Sequence, residues 1–320
     1  MLSAYRSRRP DAATNSEGSQ VANDPAVECD GGVFYDLDEA LAARPEIVIV
    51  ANPTSLHLAT ASAAVRAGAS VFIEKPISHD LTGVAEFAAL VEERNATVAV
   101  GLQFRCHPAL IDLKTRLNDG ALGQLISVHA EQAEYLPSYH PSEDYRKSYA
   151  ARSDLGGGVI LTQIHELDYL HWLFGLPRTV YGVGGRTGSL EIDVEDNVDA
   201  VLGYGKNERP LSVHVHLDYL QRLPRRRCRV VGEDGTIEID LLAPSLAWTD
   251  ARGEMRMEED YSWLTRSWLF LEEMRHFLDA VQHNTPVQVD LAHAIDTLRI
   301  AVAVRESMRS GLPQHLDGPE

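Results

Sequence analysis

Cysteine is scarce in this chain. Only Cys29, Cys106 and Cys228 occur in 320 residues, widely spaced and with no CxxC pair. That spacing excludes a disulfide framework and a cysteine-built zinc site, and it reads as free thiols in a reducing compartment. Long apolar runs are missing as well. No stretch approaches the roughly 20 residues that cross a bilayer. The start, Met1-Leu2-Ser3-Ala4-Tyr5-Arg6-Ser7-Arg8-Arg9, has no apolar core after its charges, so it does not read as a secretory signal. The expected location is the cytoplasm. Basic residues are in deficit: 29 Lys and Arg against 47 Asp and Glu leave a net charge of −18. This argues against affinity for nucleic acid or an anionic membrane. The one dense basic run, Arg225-Arg226-Arg227 with Arg229, reads as a solvated strand end or a set of ion-pair partners. Two hydrolytic signatures are also absent. No GxSxG elbow occurs, and His165-Glu166 does not extend to HExxH. Tyr169 stands where the second histidine would be, and His171 comes two positions too late for the i, i+4 geometry that puts both rings on one metal.

The residues that are present describe a soluble α/β protein of about two domains, 44% hydrophobic and 24% charged. Residues 10–32 lack periodicity and read as a loop. A short helix is expected over Asp36–Ala42. The β-branched run Ile47-Val48-Ile49-Val50-Ala51 predicts a strand buried on both faces of a parallel sheet. An alanine-rich helix from His57 to Ala67, stopped at Gly68, leads to a strand at Val71-Phe72-Ile73. A helix over Leu81–Arg94 and a strand at Thr97–Val100 repeat the alternation, which predicts a doubly wound sheet. After about Arg105 the pattern changes. A helix over His107–Asn118 precedes strands near Ile126–Glu134, Thr179–Gly185, Asp199–Tyr204, Leu211–Tyr219, Arg227–Val231 and Thr236–Asp240, with a hairpin at Glu233-Asp234-Gly235. Helices close the chain at Ser267–Gln282 and Ala292–Ser310. The fold expected is an incomplete Rossmann-type parallel-sheet domain over residues 1–105. An α+β domain with a mostly antiparallel sheet follows over 106–320, its last helix returning to the first domain.

Glu74-Lys75-Pro76, at the end of the run Ser70-Val71-Phe72-Ile73, carries the most chemistry. A parallel strand delivers such a lysine to the carboxyl edge of the sheet, where open α/β folds bind ligands. The proline fixes a non-helical turn and allows a cis peptide. Three further segments join it: Ala51-Asn52-Pro53-Thr54-Ser55-Leu56-His57, then Leu155-Gly156-Gly157-Gly158 with His165-Glu166-Leu167-Asp168, and the closing stretch from Asp290 to Gly311. In this order they resemble the Gfo/Idh/MocA family of NAD(P)-dependent sugar oxidoreductases, over nearly the whole chain from Val33. Tyr139-His140-Pro141-Ser142-Glu143-Asp144-Tyr145-Arg146 is more narrowly similar to members encoded with surface-polysaccharide and nonulosonic-acid pathways.

The resemblance implies an oxidoreductase that moves a hydride between a nicotinamide cofactor and a hydroxyl or keto carbon of a sugar or nucleotide sugar. In it Lys75 assists proton transfer, and His165 is the second acid/base candidate. Asn52, Pro53, Thr54 and His57 line the cofactor, with Glu74, Lys75 and Pro76 on the nicotinamide side, and Gln103 and Arg105 face nicotinamide and substrate. Tyr139, His140, Tyr145, Arg146 and Arg152 form a polar loop over the substrate, the arginines suiting a carboxylate or phosphate. Many members carry an aspartate three or four residues before the histidine. Leu161 and Thr162 stand here instead, so Thr162 offers a hydroxyl to the sugar and Asp168 becomes the candidate to orient the imidazole. That departure keeps an alternative open, a non-catalytic sugar-binding or partner subunit. The free face of an antiparallel sheet forms a dimer in similar proteins, so a homo-oligomer is expected.

No GxGxxG precedes Ile47, and Gly182-Val183-Gly184-Gly185 lies too far downstream to serve. The family's first strand and phosphate-binding turn are therefore expected to be missing. Two readings follow: a chain start recorded too late or a truncated gene, and a short protein that closes the gap by another route, such as a partner subunit. Arg6, Ser7, Arg8 and Arg9 then fall at the end of the second strand. Arginine there suits a ribose 2′-phosphate and tilts the expectation from NAD to NADP.

Overall fold

The structure is a computed structural model, and it describes residues 4–5, 32–205 and 210–316. A two-stranded parallel pair, β1 (Ala4–Tyr5) and β2 (Val33–Phe34), precedes α1 (Leu37–Ala42). Asp36 caps that helix by accepting from the Glu39 amide at 3.0 Å. The three parallel strands β3 (Ile47–Val50), β4 (Ser70–Glu74) and β5 (Val98–Gly101) lie in the order β3-β4-β5. They are linked by α2 (His57–Arg66) and α3 (Val84–Arg94). Small residues let α2 lie close on the sheet: Ala61 and Ala64 are fully buried there. Gly68, at φ +88°, ends the segment in the left-handed region that glycine enters without strain.

One expectation fails in this sheet. Ile47–Val50 is not buried on both faces; β3 has β4 as its one neighbour among the described residues, and Ile49 is 53% exposed. A β-branched run reports strand propensity, whereas burial on both faces depends on neighbours that the run itself does not encode.

The second half opens with α4 (Pro108–Asn118), capped by His107, and builds a nine-stranded sheet. Its strands are β6 (Leu125–Ala133), β7 (Thr179–Gly185), β8 (Asn197–Tyr204), β9 (Leu211–Asp218), β10 (Arg225–Gly232), β11 (Gly235–Asp240), β12 (Ser245–Asp250), β13 (Met255–Asp260) and β14 (Gln314–His315). The order is β13-β12-β11-β10-β6-β9-β8-β7-β14, antiparallel throughout except for the parallel pair β6–β9. Strands β12 and β13 were not anticipated. Their sequences, Ser-Leu-Ala-Trp-Thr-Asp and Met-Arg-Met-Glu-Glu-Asp, have little inward–outward alternation, because Leu246 alone of these residues is buried.

Two helices pack on one face of this sheet. α5 (Val159–Thr162) and α6 (His165–Phe174) are separated by Gln163 at φ −100°, ψ 31°. The long helices α7 (Arg266–His283) and α8 (Leu291–Ser310) are capped by Thr265 and Asp290 and stop at left-handed Asn284 and Gly311. α8 runs along β7 and also touches β5 and α3 of the parallel sheet. α7 lies on the 3₁₀ turn Gln103–Cys106. Its Phe277 ring sits 5.5 Å from that of Phe72 on β4, sealing that face of the parallel sheet.

Candidate functional site

The carboxyl edge of the parallel sheet is assembled by hydrogen bonds between loops. β4 ends in Glu74, and the Lys75–Pro76 peptide that follows is cis. The His57 ring lies between two carbonyl oxygens, that of Pro76 at 2.7 Å from Nδ1 and that of Asn52 at 2.9 Å from Nε2. Burial pushes its pKa down against those carbonyls, and a neutral ring donates to one of them at a time. His57 is 1% exposed, so it ties the loop after β3 to the turn after β4 and presents almost nothing to a ligand. Asn52 donates from Nδ2 to the Thr60 hydroxyl at 2.9 Å, and its buried Oδ1 has no partner. Thr54 is buried beneath the glycine-rich segment of the other half.

That segment makes the close approach possible. A Cβ on Gly156 would stand 2.7 Å from the His79 Cβ and 2.9 Å from the Thr54 Cβ, and the residue sits at φ +79°. A glycine is required on both counts. Thr162 is thereby brought to the sheet edge, where its carbonyl oxygen accepts a short hydrogen bond from Lys75 Nζ.

His165 begins α6 beside this contact. It is 5% exposed, its Nδ1 has no partner, and the Phe104 ring meets it edge-on at 5.0 Å. Burial, then the charges of Lys75, Arg226 and Arg266, hold its pKa well below the usual histidine value, so the imidazole is neutral. Its neighbour Glu166 is fully buried and takes a forked pair of hydrogen bonds from Arg226, 2.7 Å from Nε and 2.9 Å from Nη2. The Arg226 guanidinium also stacks 3.9 Å above the Phe104 ring.

Several predicted residues stand elsewhere than the resemblance implies. Asp168 does not orient His165. It is fully buried and receives both Arg105 Nε and Nη2 at 2.8 Å, with His293 Nε2 3.4 Å from its Oδ1. Arg105 is itself 4% exposed, stacks 5.0 Å over Trp172, and is consumed by this pair instead of facing a ligand. Arg105 also contacts the His293 ring, which accepts as a neutral group; burial followed by the Arg105 charge pushes the His293 pKa down to about 2. Gln103 is buried in the same turn.

The loop of Tyr139, Tyr145, Arg146 and Arg152 is likewise satisfied internally. Tyr139 accepts from Gln163 Nε2 at 2.9 Å, and the Tyr145 hydroxyl accepts from the Glu191 amide at 3.2 Å. Arg146 forks onto Asp144 and reaches Glu191 at 2.7 Å, while Arg152 forks onto Asp154. Both arginines are exposed and already have carboxylate partners, so neither is a free anion clamp. His140 is exposed. Arg6, Ser7 and Arg8 lie outside the described residues.

Sequence reasoning read Arg226 within a run of solvated or ion-paired arginines; it is ion-paired, but in the interior with Glu166. Strand alternation carried the signal, since Arg226 shares the inward side of β10 with the buried Cys228 and Val230. Sequence reasoning missed the buried Glu273 on α7, although its i, i+4 spacing with Leu269 and Phe277 puts it on the inward face of that helix.

The edge fits the ribose and nicotinamide end of a dinucleotide: Asn52 Oδ1 is an unpaired buried acceptor there, and Glu74 and Lys75 supply a second acceptor and a cation. Among the described residues no cluster of three or more His, Cys, Asp or Glu side chains is placed to hold a metal, and no helix is long and apolar enough to cross a membrane.

Residues 114–316 match the oxidoreductase family's C-terminal alpha/beta domain, and residues 12–102 match its NAD-binding Rossmann fold. The UDP-N-acetylglucosamine 3-dehydrogenase of Acidithiobacillus ferrooxidans is 26% identical over 309 residues, 94% of this chain and 90% of that one. Its solved structure aligns with a TM-score of 0.70 over 89% of this chain and 85% of that one. The scyllo-inositol 2-dehydrogenase (NAD(+)) of Bacillus subtilis is 26% identical over 285 residues, 85% of this chain and 78% of that protein. An uncharacterised oxidoreductase of Synechocystis sp. is 32% identical over 157 residues, 48% of this chain and 42% of that protein, so the chain spans under half that relative's length. The family matches span most of the chain and cover both its sheets: it belongs to the Gfo/Idh/MocA family of NAD(P)-dependent oxidoreductases.

Proposed function

We propose that this chain oxidises or reduces a hydroxyl or keto carbon of a sugar or nucleotide sugar, with Lys75 as the proton-transfer group. One observation carries the reading. The Lys75 ammonium leaves the parallel sheet and bonds to the Thr162 carbonyl at the end of α5, just before His165, so the cation stands where the two halves meet. When bound, a nicotinamide dinucleotide supplies hydride acceptance or donation. Asn52, Glu74 and Lys75 are the residues that would hold its ribose and nicotinamide end.

Lys75 gives or takes the hydroxyl proton, exchanging its bond to Thr162 for one to substrate. The neutral His165 offers a nitrogen to the same hydroxyl without adding charge, and Phe104 keeps water from its face. Arg226, forked on Glu166, fixes the first turn of α6 so that the imidazole is pre-positioned. In this reading residues up to about 105 hold the dinucleotide and residues from 106 onward form the substrate and dimerisation part. The enzyme works in a reducing cytoplasm, which suits the free buried thiols of Cys106 and Cys228.

A sugar-nucleotide substrate from surface-polysaccharide synthesis is supported by the relative that acts on UDP-N-acetylglucosamine and by the Tyr139–Arg146 segment. The outer face of the nine-stranded sheet supports self-association. It holds a depression of about 660 Å³ among His129, Glu131, Tyr181, Asp199, His214 and Arg229, with Tyr181, Val183 and Val201 exposed around it. The Arg6–Arg9 run carries the tilt to NADP over NAD. Thr162, standing near where many members have an acidic residue, favours the second reading, a sugar-binding partner subunit without redox activity.

Fluorescence titration with NADH and NADPH, followed by nicotinamide absorbance assays on UDP-N-acetylglucosamine and scyllo-inositol, tests the choice. The redox reading expects dinucleotide binding and turnover of one of these substrates. Sugar binding with no dinucleotide binding overturns it in favour of the partner subunit.

A further inference from the structure

Glu273 is a buried carboxyl that the proposed chemistry does not use. It is 7% exposed, accepts from the Leu102 amide, and its Oε1 is buried without a partner. Its direction is fixed by two periodicities. Phe277, one helical turn further along α7, touches Phe72 on β4, and Glu74 is two residues beyond Phe72 on the same side of that strand. Glu273 on α7 and Glu74 on β4 therefore face each other across the same layer. Gly101, the register partner of Glu74, leaves the room: a Cβ there would meet Phe72 at 3.1 Å and Glu74 Oε2 at 3.5 Å. The next residue is Leu102, which bonds Glu273.

We propose that Glu273 is a positioning residue for the cofactor edge, its carboxyl retaining one proton that it shares with the carboxylate of Glu74. The pair then carries a single negative charge beside Lys75, and the unpartnered oxygen gains a hydrogen bond. Two ionised carboxylates in so buried a place repel each other, as in acid pairs that share a proton. Of the groups acting on Glu273, only the Leu102 amide favours the ionised form. Glu74 from β4 and Asp168 from α6 both disfavour ionisation of Glu273, and burial, acting first, pushes its pKa up to about 9. Burial raises the Glu74 pKa as well, but there Lys75 and Arg266 oppose it, and no such cation opposes it at Glu273, so the charge settles on Glu74. Arg105 is already spent on Asp168. The Cys106 thiol beside Glu273 and Glu272 is also held neutral, at about 12, by burial. The functional consequence rests on the reading of this edge as the nicotinamide site: ionising Glu273 would push Glu74 out of place and loosen the dinucleotide.

Thermal melting of the full chain without cofactor, from about pH 5 to pH 10, compares wild type with E273Q. The folded protein keeps a proton that the unfolded chain loses above the ordinary glutamate value. Wild type is therefore expected to lose melting temperature relative to E273Q up to pH about 9, and to run parallel above it. A difference that stays constant across that range overturns the proposal. If E273Q does not fold, infrared spectra of wild type decide: the protonated-carboxyl stretch should persist at neutral pH and vanish with a midpoint near 9. Its absence at neutral pH sinks the idea. In NADH titrations, wild-type affinity should fall about tenfold per pH unit above that midpoint, a slope that E273Q abolishes. No NADH binding at any pH would refute the dinucleotide reading while the melts and spectra still judge the carboxyl pair.

Discussion

Lys75 and Thr162, 87 positions apart in the sequence, are joined by one hydrogen bond from the lysine ammonium to the threonine carbonyl. The bond crosses from the edge of the parallel sheet to the turn before His165. It brings the lysine of the parallel-sheet half beside the histidine of the second half. The acceptor is the Thr162 backbone oxygen, so this contact does not depend on the side chain at position 162.

Lys75→Met keeps the aliphatic stem and removes the proton carrier. Turnover should fall about 10²- to 10⁴-fold, the usual weight of a positioned acid or base, while the folded chain remains and dinucleotide binding changes far less. Steady-state rates beside a fluorescence titration check it. Loss of binding equal to the loss of rate would make Lys75 a cofactor ligand only.

His165 should not generate a pH limb. Burial and three neighbouring cations keep its ring neutral, so His165→Asn is expected to lower kcat/KM about 10- to 100-fold without changing the shape of the pH–rate curve between about pH 5.5 and 8. A wild-type acid limb near the ordinary histidine value, absent from the variant, would contradict the neutral assignment.

Arg105 and Asp168 form an ion pair with 4% and 0% side-chain exposure. Removing one partner strands the other charge, at a cost of about 3–5 kcal/mol. Asp168→Ala should therefore lower unfolding stability by that order, and the double variant Arg105→Met with Asp168→Leu should recover much of it. Denaturant titrations measure both. Equal losses in the single and double variants would mean that packing, not charge, dominates.

Gly156→Ala meets both the Thr54 and His79 contacts and a left-handed backbone. A loss of about 1–3 kcal/mol is expected, together with weaker substrate binding because the contact between the halves opens. Melting and substrate titration on the same variant would show whether the two effects travel together.

His216 sits between Asp218 at 2.9 Å and Asp199 at 2.8 Å. The hydrogen bond to Asp218, resisted by burial and helped by Asp199, raises its pKa to about 9. A raised histidine stabilises the fold fully below its unfolded value of about 6.5. That contribution is lost as pH rises through the folded one. His216→Gln should flatten the decline of stability across this window, which melts in graded buffers would reveal.

Much of the fold was legible because periodicity and turn chemistry are local. Continuous β-branched runs, the alanine-rich helix stopped at Gly68, and the alternation in β7 to β11 each encode their own element. The candidate lysine and histidine were legible through the ordered motifs around them. The unread parts are those set by distant neighbours. Strand β3 reads as fully buried but pairs on one side only among the described residues, β13 carries little alternation, and the break at Gln163 leaves no glycine or proline to announce it.

The chain by itself determined the alternation of strands and helices, the glycines at the left-handed turns, and the delivery of Lys75 to a sheet edge, because backbone preference acts within a few residues. Tertiary structure alone decided which charges remain available. Arg105, Arg146, Arg152 and Arg226 are held by Asp168, Asp144, Asp154 and Glu166, and the packing of α7 buries the Glu273 carboxyl. Charge pairing and desolvation depend on distance through space, and only the folded packing of α6, α7 and the two sheets sets those distances.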